Sequence, residues 1–338
     1  MKKFLSILLA ALTLLTVIAM TGCGAAKTLK FGMGVYTYYA EGANADGETN
    51  GKGEAVTTVA AVLVDADGKI VKCVIDTADN KVEWTSDGKA VAAGEFKTKY
   101  ELGANYGMAA YGADVNGDGV VLEWFEQIDA FCKTVEGKTI DEVKAMVVNG
   151  YQGNDEVMAA GCTIGIADYV KALEKAVANV ADSNATANDT LKLGVVSSFK
   201  GSDATEEAQG AAEVDVTVVA AAVANGKVSA MATDAVQTKC TFDAAGAATY
   251  AAGEITTKNE LGTNYGMSAY GADLNGDGVV KEWNEQAAAF SAECVGKTAS
   301  EISALVVDGY GVESLQTAGC TVGISDMVKA AVKAATVA

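Results

Sequence analysis

The chain has 338 residues, half of them hydrophobic and a fifth charged, with a formal net charge of −19. It contains no histidine and no proline, and all 25 of its basic residues are lysine. These absences exclude an imidazole base, a His-activated nucleophile, a His-ligated zinc and a bidentate guanidinium clamp on phosphate. The negative charge repels nucleic acid and attracts cations.

Met1-Lys2-Lys3, followed by the uncharged run from Phe4 to Met20, has the charged start and apolar centre of an export signal. The run is marginal against the roughly 20 apolar residues of a transmembrane helix. Met20-Thr21-Gly22-Cys23 resembles the signal box of bacterial lipoproteins, with Met where Leu is commoner. The resemblance implies that residues 1–22 are a lipoprotein signal peptide and that Cys23 carries a lipid. The folded part is then exported and anchored in the lipid bilayer, on the outer face of the bacterial cytoplasmic membrane. An uncleaved anchor or an ordinary signal peptide is the alternative.

From Leu29 to Tyr39 the chain is rich in Tyr and Val and predicts a strand. Ala55–Val64 and Lys69–Ile75 predict two more, joined by a tight turn at Asp67-Gly68. Val82–Thr85 and Lys89–Ala92 flank a further turn at Asp87-Gly88. The period then changes: Trp124, Ile128, Phe131 and Val135 share one helical face, and Gly137 ends that helix. Thr139 and Glu142 form a capping box for a second helix, and Ala167–Val180 predicts a third that buries Val170, Leu173 and Val177. Residues 181–189 are small, polar and turn-prone and read as a linker.

The same phrases then return. Glu101-Leu102-Gly103-Ala104-Asn105-Tyr106-Gly107-Met108 recurs at Glu260–Met267, Glu123-Trp124-Phe125-Glu126-Gln127 at Glu282–Gln286, and Ala160-Gly161-Cys162-Thr163 at Ala318–Thr321. The reading is an α+β protein of two tandem repeats, residues 23–180 and 190–338, each an antiparallel sheet followed by amphipathic helices.

Between the first two phrases, both repeats carry an acidic loop. Asp114, Asn116 and Asp118 stand at loop positions 1, 3 and 5, Gly119 takes the bend at 6, and Val120 offers a carbonyl at 7. Asp273, Asn275, Asp277 and Val279 repeat the pattern. Alternating oxygen ligands before a glycine wrap a hard cation, and the stretch resembles the calcium loop of the EF-hand and dockerin families. Position 12, where the family has a bidentate acid, holds Phe125 and Asn284. Glu126 and Glu285 are the expected closing ligands, with Glu123 and Glu282 as alternatives. The expected role of calcium is structural.

A strand ending in Asp-Gly-Lys-Ile, central helices, and Gly-x-Thr before a last amphipathic helix resemble the exported FMN-binding domains of bacterial redox lipoproteins. The resemblance implies noncovalent FMN near Gly161, Thr163, Gly319 and Thr321, with Lys97 and Lys99 available to its phosphate. The family's Ser-Gly-Ala-Thr motif is here Ala-Gly-Cys-Thr, which speaks against covalent attachment. The expected function is a non-enzymatic surface lipoprotein that binds a small ligand or flavin, or relays electrons to a surface or redox partner protein. The alternative is a calcium-rigidified structural or interaction module without flavin. The cysteines after Cys23 suggest within-repeat disulfides, Cys73 to Cys132 and Cys240 to Cys294, or else reduced buried thiols.

Overall fold

The computed structural model describes residues 26–115, 117, 119–250, 253–271, 273, 276 and 278–336. The expected leader and Cys23 lie outside the described residues, and no described helix is long and apolar enough to cross a membrane.

Three long strands come first, β1 (Thr28–Ala43), β2 (Gly51–Val64) and β3 (Ile70–Trp84). The short helix α1 (Lys99–Leu102) and the amphipathic helices α2 (Trp124–Val135) and α3 (Ala167–Ala178) follow. A strand β4 (Ala181–Thr186) leads to β5 (Thr190–Ser202), β6 (Gly210–Ala224) and β7 (Lys227–Phe242). The main helices after it are α4 (Lys258–Leu261), α5 (Trp283–Cys294) and α6 (Ser325–Ala335). This is the mixed α+β class expected, with antiparallel sheets.

One sheet runs Glu254–Ile255, β1, β2, β3, Ala90–Val91, with β4 also on β1; the other runs Ala248–Tyr250, β7, β6, β5. The sheets face each other and helices cover both outer faces, giving four layers. The reason lies in the central strands. Successive side chains of a strand point to opposite faces. Val59, Ala61 and Leu63 of β2 therefore enter the core between the sheets, and Ala60, Val62 and Val64 enter the core beneath α2 and α3. In β6, Val214, Val216 and Val218 face the other sheet while Val219, Ala221 and Val223 face α5 and α6. A strand covered on both faces has to be apolar throughout, as these runs are. At one end of the inter-sheet core, Trp84 stacks on Phe242 with ring centroids 5.3 Å apart, and its indole N–H donates to the Gly246 carbonyl at 3.0 Å.

The covering helices sit almost on the strand backbone. A Cβ at Gly34 would lie 2.2 Å from the Ala176 nitrogen and 2.3 Å from the Ala172 carbonyl oxygen; one at Gly194 would lie 1.9 Å from the Ala330 carbonyl oxygen. Glycine in the strand and alanine in the helix let the layers approach this closely.

Three expectations are corrected. The two expected strands Lys69–Ile75 and Val82–Thr85 are parts of one continuous strand, β3, which runs from Ile70 to Trp84. Its polar middle, Asp76 to Asn80, unassigned from the sequence, pairs with β2 along its whole length, and the Thr58 and Thr77 hydroxyls meet at 3.2 Å. Residues 181–186 form β4 and pair with β1. Ser183 anchors that strand by donating to the Leu29 carbonyl at 2.6 Å. A Cys240–Cys294 bridge is also ruled out. Cys240 points into the core between the sheets and Cys294 into the helical core on the other face of β7.

Candidate functional site

The repeated Glu-Leu-Gly-x-Asn-Tyr-Gly-Met phrase begins on α1 and α4. Thr98 caps α1, accepting from the Glu101 N–H at 3.1 Å while Glu101 accepts from the Thr98 N–H at 3.0 Å. Thr257 and Glu260 do the same for α4 at 3.2 and 2.9 Å. Each of these helices is tied to its sheet by a buried acid. Asp76 Oδ1 accepts from the N–H groups of Thr77 at 2.7 Å and Tyr100 at 3.2 Å. Asp234 Oδ1 accepts from Ala235 at 2.7 Å and Asn259 at 3.1 Å. Burial outweighs these donors and pushes both carboxyls up to about 6. At the start of α1, Lys99 pairs with Asp79 at 3.1 Å and lies 5.0 Å over the Tyr106 ring. Burial opposes its charge, but Asp79 and Tyr106 prevail and its pKa is raised.

The phrase hands the chain to the acidic loop. Asp114 gathers the loop's amides, accepting from Gly117 N–H at 2.7 Å and Gly119 N–H at 2.9 Å. Asp273 accepts from Gly276 and Gly278 at 2.8 and 3.0 Å. All four glycines have positive φ, between 69° and 80°, where other residues would be strained. Asn116, Asp118, Asn275 and Asp277 lie outside the described residues. Val120 and Val279 are exposed, as are Tyr111 and Tyr270 at the loop entrances, at 91% and 87%.

At the loop exits the four glutamates divide their work. One oxygen of Glu126 accepts from the Glu123 N–H and one of Glu285 from the Glu282 N–H, each at 2.9 Å, so both expected closing ligands also cap a helix. Glu282 is buried and accepts from the Met267 N–H at 2.9 Å and the Ser268 hydroxyl at 2.5 Å. Ala109 stands where Ser268 does, and the buried Oε2 of Glu123 has no hydrogen-bond partner among the described residues. An unpaired buried carboxylate oxygen is costly in water-excluded surroundings and inexpensive beside a cation.

The Gly-x-Thr turns are also brought to these helices. Gln127 Oε1 accepts from Thr163 N–H at 2.9 Å, Thr163 Oγ1 at 3.1 Å and Ile164 N–H at 3.2 Å. Gln286 Oε1 receives Thr321 N–H and Val322 N–H, both at 2.8 Å, and Thr321 Oγ1 at 3.4 Å. The hydroxyls and amides expected to face a flavin phosphate therefore face a buried glutamine in both halves. Gly161 and Gly319, with φ of 101° and 90°, make the turns that put them there. Lys97 pairs with Glu95 at 3.5 Å, and Lys99 is engaged as described. Sequence reasoning missed Gln127 and Gln286. Their recurrence in the Glu-Trp-x-Glu-Gln phrase was the available signal.

No protein family, curated protein or solved structure matches the chain.

Proposed function

We propose that the protein is an exported, lipid-anchored, non-enzymatic surface module, built by tandem duplication and stiffened by calcium in its two acidic loops. The observation that carries this reading is the pair of first-position carboxylates, Asp114 and Asp273, each drawing two glycine amides into the loop. Asp114, Asn116, Asp118 and the Val120 carbonyl would hold the first ion, and Asp273, Asn275, Asp277 and the Val279 carbonyl the second. Glu123 is the preferred closing ligand of the first loop, because its Oε2 has no other partner among the described residues. Glu126 serves the helix cap. Bound calcium would supply charge neutralisation where several carboxylates converge. The ordered loops then present Tyr111 and Tyr270 to a partner at the cell surface. Flavin fits less well, since its phosphate would compete with Gln127 and Gln286 for the same donors.

Native mass spectrometry of the purified chain, with and without chelator, tests this. Two calcium ions per chain, removed by chelator and abolished by Asp114→Asn with Asp273→Asn, are expected. No uptake at about 1 mM calcium, the weak end for extracellular modules, would sink the metal reading. A flavin mass in the native spectrum would restore the FMN-binding reading.

A further inference from the structure

We propose that Cys73 and Cys132 close a disulfide that fastens β3 to α2 in the first half, and that the second half has no counterpart. Their sulfurs lie 3.2 Å apart, and both side chains are buried in the core shared by the first sheet and its helices. The two backbones are already positioned by neighbouring contacts. Asp76 fixes β3 against α1, and Trp124, Ile128 and Phe131 seat α2 on the sheet.

The repeat phrases align Cys73 with Met231 and Cys132 with Ser291. In the second half Ser291, the counterpart of Cys132, donates through Oγ to Thr233 Oγ1 at 2.9 Å, two residues along the strand from the counterpart of Cys73. The remaining described cysteines are distributed over three cores. Cys162 lies in the first helical core, Cys240 between the sheets, and Cys294 and Cys320 in the second helical core.

The chemistry balances as a two-electron exchange with a disulfide oxidant such as oxidised glutathione. One cysteine thiolate attacks the oxidant and expels a glutathione thiolate. The second cysteine thiolate attacks the protein sulfur of that mixed disulfide and expels the other. Two protein thiols become one disulfide, and one oxidised glutathione becomes two reduced ones. Burial pushes the Cys132 thiol far up and hides it from the oxidant, so the exchange belongs to folding, before the helix closes over the sheet.

The test is refolding of the full chain in a glutathione redox buffer, followed by alkylation and peptide mapping without reductant. It depends on neither export nor calcium, so its failure is separable from failure of the function proposed above. One cross-linked peptide pair containing Cys73 and Cys132 is expected, with a mass deficit of about 2 Da for the two hydrogens lost. The bridge spans 59 positions. Reducing it should lower the thermal midpoint by roughly 5–10 °C, and Cys162→Ala should leave the link in place. Complete alkylation of every thiol without reductant would overturn the proposal. So would a Cys132–Cys162 link, or a Cys294–Cys320 link in the second half.

Discussion

Between β3, α1 and α2, the first half packs Tyr100 edge-on against Phe125 with ring centroids 6.0 Å apart, and the Tyr100 hydroxyl donates to Asp129 at 3.0 Å. Between β7, α4 and α5, the second half has Asn259, Asn284 and Ala288 in those places, and a groove of about 450 Å³ is left open along α5. Both halves nevertheless keep the Asp clamp under the short helix, the Gln hub under the Gly-x-Thr turn, and the glutamate caps. The contrast separates two kinds of position. Removing one partner of a buried polar contact strands the other, so these positions tolerate little change. An aromatic pair at the rim can be replaced by small residues, because the space left opens to water.

The largest effect is expected where the halves agree most closely. Gly34→Val and Gly194→Val would each drive a side chain into helix backbone. Each should cost at least about 4 kcal/mol or abolish folding, read as loss of the cooperative transition in circular dichroism. If one half tolerates its valine, that half's helix is not seated as described.

The buried acids come next. Asp76→Ala or Asp234→Ala should cost about 1–3 kcal/mol by leaving backbone donors without a partner, whereas the Asn variants keep an acceptor and should cost less. The pH dependence has a definite sign. With folded values of about 6, both carboxyls hold protons that the unfolded chain, near 3.9, has already released. Their contribution to stability is therefore full below about pH 4 and is lost as pH rises through about 6. Urea midpoints of the wild type relative to the Asp76→Asn, Asp234→Asn double variant should fall across that window. Glu101 faces Asp76 and Glu260 faces Asp234, and neither is altered in the comparison. A flat difference would rule the two acids out.

The open groove gives a smaller and reversible test. Tyr100→Asn with Phe125→Asn should cost about 2 kcal/mol in the first half. Asn259→Tyr with Asn284→Phe should stabilise the second by about 0.5–1 kcal/mol in thermal melts. Loss on filling the groove would mean that it is not shaped like its aromatic counterpart.

The smallest effect concerns the reciprocal ion pairs that cross between halves, Lys333 with Glu101 and Lys175 with Glu260, each at 2.5 Å. All four side chains are partly exposed. Lys333→Ala and Lys175→Ala should each cost no more than about 1 kcal/mol, and the difference should shrink in high salt.

Much of this architecture was legible in the chain. The periodicity of Trp124, Ile128, Phe131 and Val135 gave the buried face of α2, and the Thr-x-x-Glu spacings gave helix starts, because both depend on neighbours within a turn or two. The recurrence of whole phrases marked the positions that matter in both halves. What only the tertiary structure decided depends on groups far apart in sequence. The polar stretch from Asp76 to Asn80, unassigned from the sequence, is strand because β2 pairs with its backbone and α1 gives Asp76 a donor. Residues 181–186 became strand because β1 had an edge to offer. The Gly-x-Thr hydroxyls turned to Gln127 and Gln286, and Cys240 and Cys294 were parted by a sheet. Composition fixes which groups need partners; only the packing of layers fixes which partners they find.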